Sequence, residues 1–489
     1  MSEPPLEALD KAIIGDIYRS RTAYERLVEL CDSCGSRFAG TAGEQRAATL
    51  LAQWLTEAGL AQVHCEPFGY LGWRRGESRL EVVQPTAYPL AALALPHCPP
   101  AEIEAELCSV GGGEADDYRA AGAADGRLQG KVLLCAAESS GPSGQPPSHR
   151  RLKYGRAVTA GAAAFLYFNQ NPGGLAVTGS LATRKPAPIP GLGLAYEDGA
   201  TLLRLLERGP VRVRLHVTAA FPEVESANVL ADLPAASTSQ HCDELVLAGA
   251  HYDSHDIAPG ALDNGTGVAI ILEAARALAA AYRAAGRAPR RRLRFCFFAA
   301  EEIGLLGSWS YVSRHVAELS RLRFMLNVDD IGRSDPGAES LHLVGCPELV
   351  PHFAAQAQAM RYPLTVHERL STSSDHFPFV MHGIPAGTVE NEASPESAAG
   401  LVGRGWGHTI ADTVDKVRPA TVQSAAVVTA RLLLRLAEDQ HWPGRRRPPA
   451  AVEAEFAASG RLAELRQSGR WPPPWPTSAS EGAPNEHQD

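Results

Sequence analysis

Residues 243–285 read DELVLAGAHYDSHDIAPGALDNGTGVAIILEAARALAAAYRAA. The run DELVLAGAH is short and almost continuously apolar, which is typical of a strand buried on both faces. After a Gly-rich loop, GTGVAIILEAARALAAAYRAA has the apolar spacing and length of a helix. A buried strand followed by a helix predicts the first half of a βαβ unit.

The same alternation continues on both sides of this stretch. Further apolar strands are predicted in RRLRFCFFAA, RFMLNVDD and SLHLV, with a helix after Glu302 and a last one in TVQSAAVVTARLLLRLA. The sequence therefore predicts an α/β fold with a mixed, mostly parallel sheet flanked by helices on both faces.

Composition changes along the chain predict its domains. Residues 1–84, with two helices around a loop within 21–62, and 223–441 are assigned to one catalytic domain. Residues 85–222 are assigned to a smaller β-rich or α/β insert, because KVLLCAAE, RAVTAGAAAFLYF and PIPGLGLAYEDGATLLRLLERG repeat short strands and helices. Residues 442–489 are Pro-rich and polar, which predicts a mostly unstructured tail with at most one short helix.

Bulk properties narrow the class of protein. The 489 residues carry a formal net charge of -9, which argues against a general nucleic-acid binder. No apolar run approaches the length of a membrane span, and the N-terminus lacks a secretory pattern. The nine cysteines are scattered, and no second pair complements Cys31 and Cys34. We expect a cytoplasmic protein, or an exported one if the N-terminus has been trimmed; the oligomeric state is left open.

Polar residues follow most of the predicted strands, and sites form where strands end in open α/β sheets. His251 and Asp253 are two apart, so the carboxylate can orient a metal-binding imidazole. Asp263 lies in a Gly-rich turn before a helix and could bridge two cations. Glu301 and Glu302 are adjacent, so one can bind a metal while the other faces substrate as a base.

Two further ligands come later in the chain: Asp329 in NVDD and His408 in GWGHT. Each motif alone has a simpler explanation, such as a helix cap for Asp263 or an exposed loop histidine for His408. Together they supply His, Asp, Glu, Asp and His, all of which zinc accepts. One bridging carboxylate and two ligands per metal predict a pair of zinc ions that clamp an attacking hydroxide.

The ordered motifs HxD, GALDNGTG, EE, NxD and GHTxxDT resemble those of the di-zinc aminopeptidase family (metallopeptidase family twenty-eight), across about 226–440. Residues 21–70 are similar to the N-terminal helices of the same domain. Residues 100–220 resemble, more loosely, the protease-associated (PA) domain that some members carry as an insertion. The resemblance implies a zinc-dependent exopeptidase that removes N-terminal residues from peptides, and an insert that gates access of substrate.

The resemblance also implies a role for each motif residue. His251 and Asp329 would bind one zinc, Glu302 and His408 the other, and Asp263 would bridge them. Asp253 would orient His251, and Glu301 would be the general base. A cis peptide bond between Asp263 and Asn264 is implied as well.

Around this set, Asp375, His376, Trp406 and Arg404 are predicted to shape the pocket. Some relatives place a tyrosine before the last histidine ligand, where it helps to stabilise the oxyanion. This chain has Gly407 there, so the oxyanion donor is open. Asp330 also stands where relatives often have an apolar residue.

Three alternatives remain. A dipeptidase or carboxypeptidase of the same clan would use a basic residue, Arg404 or Arg369, to hold the substrate carboxylate. A glutaminyl cyclase-like enzyme would need one zinc and no His251. A binding protein that does not catalyse would be expected to have lost metal ligands, all of which this chain retains.

Overall fold

The protein is described here by a computed structural model that covers residues 6–139, 147–181, 185–329, 331–332, 334–391, 405–467 and 470–471. Its helices are α1 (Leu6–Arg19), α2 (Thr22–Cys34), α3 (Ala42–Glu57), α4 (Ala115–Ala120), α5 (Arg150–Thr159), α6 (Tyr196–Arg208), α7 (Thr266–Ala284), α8 (Leu306–Arg314), α9 (Val350–Met360), α10 (His376–Met381), α11 (Pro419–Glu438), α12 (Pro449–Ala458) and α13 (Arg461–Gln467). Its strands are β1 (Ala61–Leu71), β2 (Arg74–Gln84), β3 (Tyr88–Leu90), β4 (Ala92–Ala94), β5 (Ala101–Ser109), β6 (Val132–Ala136), β7 (Ala164–Phe168), β8 (Gly191–Leu194), β9 (Arg212–Ala220), β10 (Glu223–Leu233), β11 (Leu245–His251), β12 (Arg292–Phe298), β13 (Leu322–Val328), β14 (Glu339–Val344), β15 (Thr365–Glu368) and β16 (Ala386–Asn391).

The main sheet has eight strands in the order β1-β10-β12-β11-β13-β16-β14-β15. Its centre is parallel, since β11 pairs in parallel with both β12 and β13, and β13 with β16. Antiparallel strands β1 and β10 lie at one edge, and β14 runs antiparallel to β16. This topology confirms the mixed, mostly parallel sheet expected from the sequence.

Both faces of the main sheet are covered, so its central strands are apolar at every position. Phe297 belongs to one hydrophobic core and its neighbour Phe298 to the other, as the two-residue period of a strand requires. Helices α1, α7 and α11 pack together on one face, and α8 and α10 contact each other on the opposite face. The residues of α8, α10, α12 and α13 contribute to the second core.

Two helices are long and apolar enough to cross a membrane by length and composition alone, Ala261–Ala284 and Pro419–Glu438. In each, 89% of the apolar window is buried inside the fold. They therefore have the character of core helices that pack against the main sheet.

A second eight-stranded sheet, in the order β3-β2-β9-β5-β6-β7-β8-β4, forms the insert. The predicted start of the insert at residue 85 needs correction. Strand β2, Arg74–Gln84, pairs with β9 in this second sheet rather than in the main one. The chain thus leaves the main sheet after β1 and returns to it at β10, directly after β9 ends.

The tail expected to be mostly unstructured contains two helices, α12 and α13. Four apolar side chains of these helices are buried in the second core: Val452, Phe456, Leu462 and Leu465. Their burial stabilises the two helices despite the proline-rich sequence around them. This corrects the prediction for residues 449–467. Residues 472–489 lie outside the described part of the chain.

Candidate active site

The first ligand group forms at the end of β11. His251 is 1% exposed, and its Nε2 lies 3.3 Å from Oδ1 of Asp263 and 3.4 Å from Oδ1 of Asp329. On the other side of the ring, Nδ1 lies 3.4 Å from Oδ1 of Asp253. The ring is therefore held between a carboxylate behind it and two carboxylates in front of it.

Besides facing the His251 imidazole, Asp253 binds the backbone of the two adjacent glutamates. Its two oxygens accept hydrogen bonds from the backbone N–H groups of Glu301, at 3.0 Å, and Glu302, at 3.2 Å. The residue just before this pair, Ala300, has a φ of 55°, a backbone conformation that residues other than glycine rarely adopt. One buried carboxylate thus fixes the positions of both glutamates relative to His251.

The turn that carries Asp263 precedes α7. The peptide bond between Asp263 and Asn264 is cis, as the resemblance implied. Asp412 accepts hydrogen bonds from the backbone N–H groups of Leu262, at 2.7 Å, and Asp263, at 3.1 Å. Since Asp412 is the aspartate of the GHTxxDT motif, that motif supports the Asp263 turn as well as supplying a histidine.

Asp329 follows β13 and is oriented by a short hydrogen-bonded chain. The amide of Asn327 donates to Oγ of Ser374 at 2.8 Å, and Ser374 donates to Oδ2 of Asp329 at 2.5 Å. Its other oxygen, Oδ1, is left to face His251. Asp330, the residue that departs from the family pattern, lies outside the described residues.

The second ligand group lies around His408. Nε2 of His408 is 3.2 Å from Oδ2 of Asp263 and 3.5 Å from Oε2 of Glu302. The insert holds this histidine from behind: Nδ1 lies 3.1 Å from the carbonyl oxygen of Thr178, and the N–H of Thr178 donates to the His408 carbonyl at 2.8 Å.

The separations between the potential ligand atoms fit zinc. Ligands about 2.0–2.2 Å from a tetrahedral zinc ion lie about 3.3 Å from one another. The four contacts of the two histidines with carboxylates, at 3.3, 3.4, 3.2 and 3.5 Å, fall around that value. Asp263 turns one oxygen to His251 and the other to His408, which is the arrangement needed to bridge two ions.

One member of the second group was missed in the sequence. His255 is buried, with Nε2 2.9 Å from Oε2 of Glu302 and its ring 4.4 Å from that of His408. His255, Glu302 and His408 together could hold a metal ion. The signal was the second histidine of HYDSH, four residues after His251, in a loop whose path the sequence does not reveal.

Electrostatics at the site reflect a concentration of buried acid. Burial, together with neighbouring carboxylates, raises the pKa of Glu301 and of Glu302 to about 8. Burial opposes the ionisation of Asp263 too, but hydrogen bonds from His251 and His408 hold its pKa well below its usual range. Divalent cations placed between these groups would relieve the repulsion among the acids.

The predicted pocket residues are placed differently. Asp375 and His376 are 0% and 2% exposed and lie beneath the cavity surface, whereas their neighbours Ser373 and Ser374 line it. Trp406 is also buried and does not reach the cavity lining; Nζ of Lys416 lies 5.3 Å from the centre of its ring. These three side chains therefore do not line the cavity, because the loops turn them inward, and a part in shaping the pocket stays a prediction.

Of the two arginines considered for binding a substrate carboxylate, Arg369 alone belongs to the described residues. Arg369 is half exposed and pairs with Glu390 at 2.6 Å, away from the cavity. Arg404 lies outside the described residues.

The cavity over the ligands has a volume of about 210 Å³. Glu301, Glu302, Asp263, Asp329 and both ligand histidines line it. Three arginines also line it, and the sequence reasoning missed all of them: Arg150, Arg151 and Arg470. They come from the insert and from the tail, far from any of the motifs.

Comparison with known proteins agrees with this geometry. Residues 228–433 match Peptidase family M28, and residues 88–202 match the PA domain. Both matches confirm the resemblance drawn from the motifs.

Individual relatives agree as well. Carboxypeptidase Q of Mus musculus is 29% identical over 322 residues, which cover 64% of this chain and 65% of that protein. Aminopeptidase YwaD of Bacillus subtilis (strain 168) is 28% identical over 425 residues, 84% of each protein. The solved structure of BSAP, a zinc aminopeptidase from Bacillus subtilis, matches with a TM-score of 0.64 at 25% identity, over 86% of this chain and 95% of that one.

Proposed function

We infer, from the match of its main domain to Peptidase family M28 and of its insert to the PA domain, that this chain is a zinc-dependent exopeptidase of that family. We assign it aminopeptidase activity, the removal of N-terminal residues from peptides. The single observation that carries the metal assignment is the position of Asp263, whose two oxygens face two different histidines at 3.3 and 3.2 Å. That arrangement supports two zinc ions per chain.

Each ion has its own ligand set in this proposal. His251 and Asp329 would hold one, Glu302 and His408 would hold the other, and Asp263 would be shared between them; His255 would add a nitrogen to the second group. When bound, the ions polarise the carbonyl of the scissile peptide bond. The remaining chemistry belongs to side chains that do not touch the metals.

Glu301 is the proton carrier. It lines the cavity beside the ligands, and its backbone N–H is fixed by Asp253. A carboxylate in that position takes a proton from the attacking water and delivers it to the leaving nitrogen. Asp253 acts through others, since it orients His251 and sets the positions of Glu301 and Glu302.

The test combines zinc content with hydrolysis of Leu-Leu and of N-acetyl-Leu-Leu. The wild-type protein is expected to hold two zinc ions and to hydrolyse only the peptide with a free amine. Glu301→Gln should lower kcat about 100- to 10,000-fold with both ions retained, because proton transfer is lost but no ligand is. Glu207→Gln, at an exposed position on α6, is the matched control.

Three results would contradict the proposal. The protein could hydrolyse neither peptide, it could hydrolyse the acetylated one equally well, or Glu301→Gln could lose zinc together with activity. The first would favour a binding protein, the second a carboxypeptidase. The third would place Glu301 among the ligands.

A further inference from the structure

The cavity above the proposed zinc site has a basic wall, defined here as Arg150, Arg151 and Arg470. The first two open helix α5 of the insert, and Arg470 follows α13 of the tail. All three line the same cavity as Glu301 and the metal-binding side chains. Two segments that lie outside the main sheet therefore place cations directly over the reaction centre.

Burial makes these cations unusual. Arg150 and Arg151 are only 9% and 7% exposed. Buried guanidinium groups are ordinarily paired with carboxylates, because an unpaired buried charge is costly. Within the described part of the chain, none of the three arginines has a carboxylate oxygen within 4.0 Å, the limit for an ion pair.

The hydrogen bonds of the wall leave much of its donor capacity free. Arg151 donates to the carbonyl and hydroxyl oxygens of Ser180, and Arg470 donates to the carbonyl oxygen of Thr372. The Arg150 guanidinium makes no hydrogen bond to any described residue, and its Nε is fully buried without a partner. The guanidinium group of this cavity-lining residue therefore keeps donors that no described residue uses.

The wall stays charged at neutral pH. Burial lowers the pKa of Arg151 to about 9 and that of Arg470 to about 10. Both values are above 7, so each group remains protonated there. The carboxylates that act on the wall through space are Glu301 and Glu302, which the proposed function already assigns to proton transfer and to zinc.

The positive charge of the basic wall determines which end of a peptide substrate can face it. The protonated amine at the N-terminus of a peptide would be repelled by three guanidinium groups, so it must lie away from them. The opposite end of the substrate, on the C-terminal side of the scissile bond, then faces the wall. A carboxylate there can accept the bidentate hydrogen bonds that arginine forms.

We propose that the basic wall binds the carboxylate of the residue on the C-terminal side of the scissile bond, so that the preferred substrates are dipeptides with a free C-terminus. This inference rests on the proposed exopeptidase function and specifies its substrate class. Each additional residue moves the C-terminal carboxylate by up to about 3.5 Å, which takes it out of register with a wall fixed by burial. An acidic side chain on that C-terminal residue offers the same chemistry, and the experiment separates the two sources.

The experiment measures kcat/KM of the zinc-loaded protein for Leu-Leu, Leu-Leu-amide, Leu-Glu-amide and Leu-Leu-Leu. Amidation removes one charge and leaves the scissile bond intact. Leu-Leu is expected to exceed Leu-Leu-amide and Leu-Leu-Leu by about 10- to 100-fold, the range of a charge-assisted contact. Activity restored in Leu-Glu-amide would assign the contact to the side-chain carboxylate and still support recognition by the wall.

Variants connect the preference to the wall. Arg150→Met removes a guanidinium group that makes no hydrogen bond to described residues, so it should lower kcat/KM for Leu-Leu about tenfold or more and reduce the preference for Leu-Leu over Leu-Leu-amide. Arg150→Lys should recover part of the loss. Arg208→Met, an exposed arginine in the same insert, should change neither substrate.

The wild-type measurements distinguish failure of this inference from failure of the proposed function. Equal hydrolysis of Leu-Leu, Leu-Leu-amide and Leu-Leu-Leu by wild type would overturn the inference and leave the exopeptidase function intact. Hydrolysis of none of them would overturn the proposed function itself. The wild-type comparison needs no variant, so a variant that fails to fold does not affect this decision.

Discussion

The floor and the wall of the cavity carry opposite charges and are built in different ways. The floor consists of carboxylates and histidines that follow strands or lie in adjoining loops, oriented by hydrogen bonds to backbone or to neighbouring side chains, as Asp253 and Asp412 illustrate. The wall consists of arginines from the insert and the tail that make few hydrogen bonds. The floor is therefore positioned for chemistry, and the wall is left free to meet a ligand.

This difference teaches where reactivity and selectivity reside in the molecule. A change in the floor should abolish metal binding or turnover for every substrate. A change in the wall should alter the choice among substrates and leave the metals in place. The two regions are thus separable by experiment, although they share one cavity of about 210 Å³.

The largest effect is expected from Asp263→Asn, which tests the floor at its centre. An amide can offer only one oxygen, so the bridge between the two ligand groups is broken. Zinc content should fall below two ions per chain and kcat/KM should fall more than about 1,000-fold for all peptides. Metal analysis and hydrolysis of Leu-Leu check both effects.

Asp243→Asn, an exposed position before β11, is the control for that substitution. Two zinc ions and ordinary activity in Asp263→Asn would show that the ligand groups do not share this residue.

An intermediate effect is expected from His255→Gln, which tests whether the residue missed by sequence reasoning belongs to the floor. Loss of a nitrogen 2.9 Å from Glu302 should weaken one of the two ions about 10- to 100-fold and leave the other unchanged. Titration with a zinc chelator should then show one weak and one tight ion. His64→Gln, on a partly exposed ring remote from the site, serves as the comparison, and two equally tight ions in His255→Gln would remove His255 from the site.

The smallest effect is expected at the contact between the insert and the main domain. Arg75 of the second sheet forms a two-pronged salt bridge with Asp256, next to His255, at 2.7 and 2.5 Å. Arg75→Met should reduce stability by about 1–2 kcal/mol, since this pair is largely buried. A thermal unfolding midpoint lowered by a few degrees, with little change in kcat, is the expected readout.

Arg79→Met, an exposed arginine on the same strand, should leave the midpoint unchanged. A double substitution with Asp256→Asn should show non-additive losses, because the two residues contact each other. Strict additivity would mean that the pair does not hold the insert in place.

The sequence predicted the floor because its motifs are local. His251, Glu302 and Asp329 each follow a strand whose apolar pattern marks where it ends, so their convergence follows from the sheet. It could not predict the wall. Nothing around Arg150 or Arg470 distinguishes them from ordinary surface arginines, and their burial arises only when the insert and the tail fold over the sheet.

The fold shows the same division. The central strands and both core helices were predicted from periodicity, whereas the boundary of the insert was set about one strand too late. Strand β2 directly follows β1 in sequence and has a similar alternating pattern, so only its pairing with β9 reveals which sheet it joins. Helices α12 and α13 were missed because proline-rich flanks resemble disordered sequence, while a few apolar residues suffice to dock them.

The contact between Thr178 and His408 couples two equilibria that would otherwise be independent. His408 is at once a proposed ligand and the point where the insert grips the main domain, through hydrogen bonds of 3.1 and 2.8 Å. By thermodynamic linkage, if docking of the insert increases the affinity for zinc, bound zinc stabilises docking of the insert by the same free energy. Removal of zinc is then expected to weaken docking of the insert, and loosening of the insert is expected to weaken zinc binding.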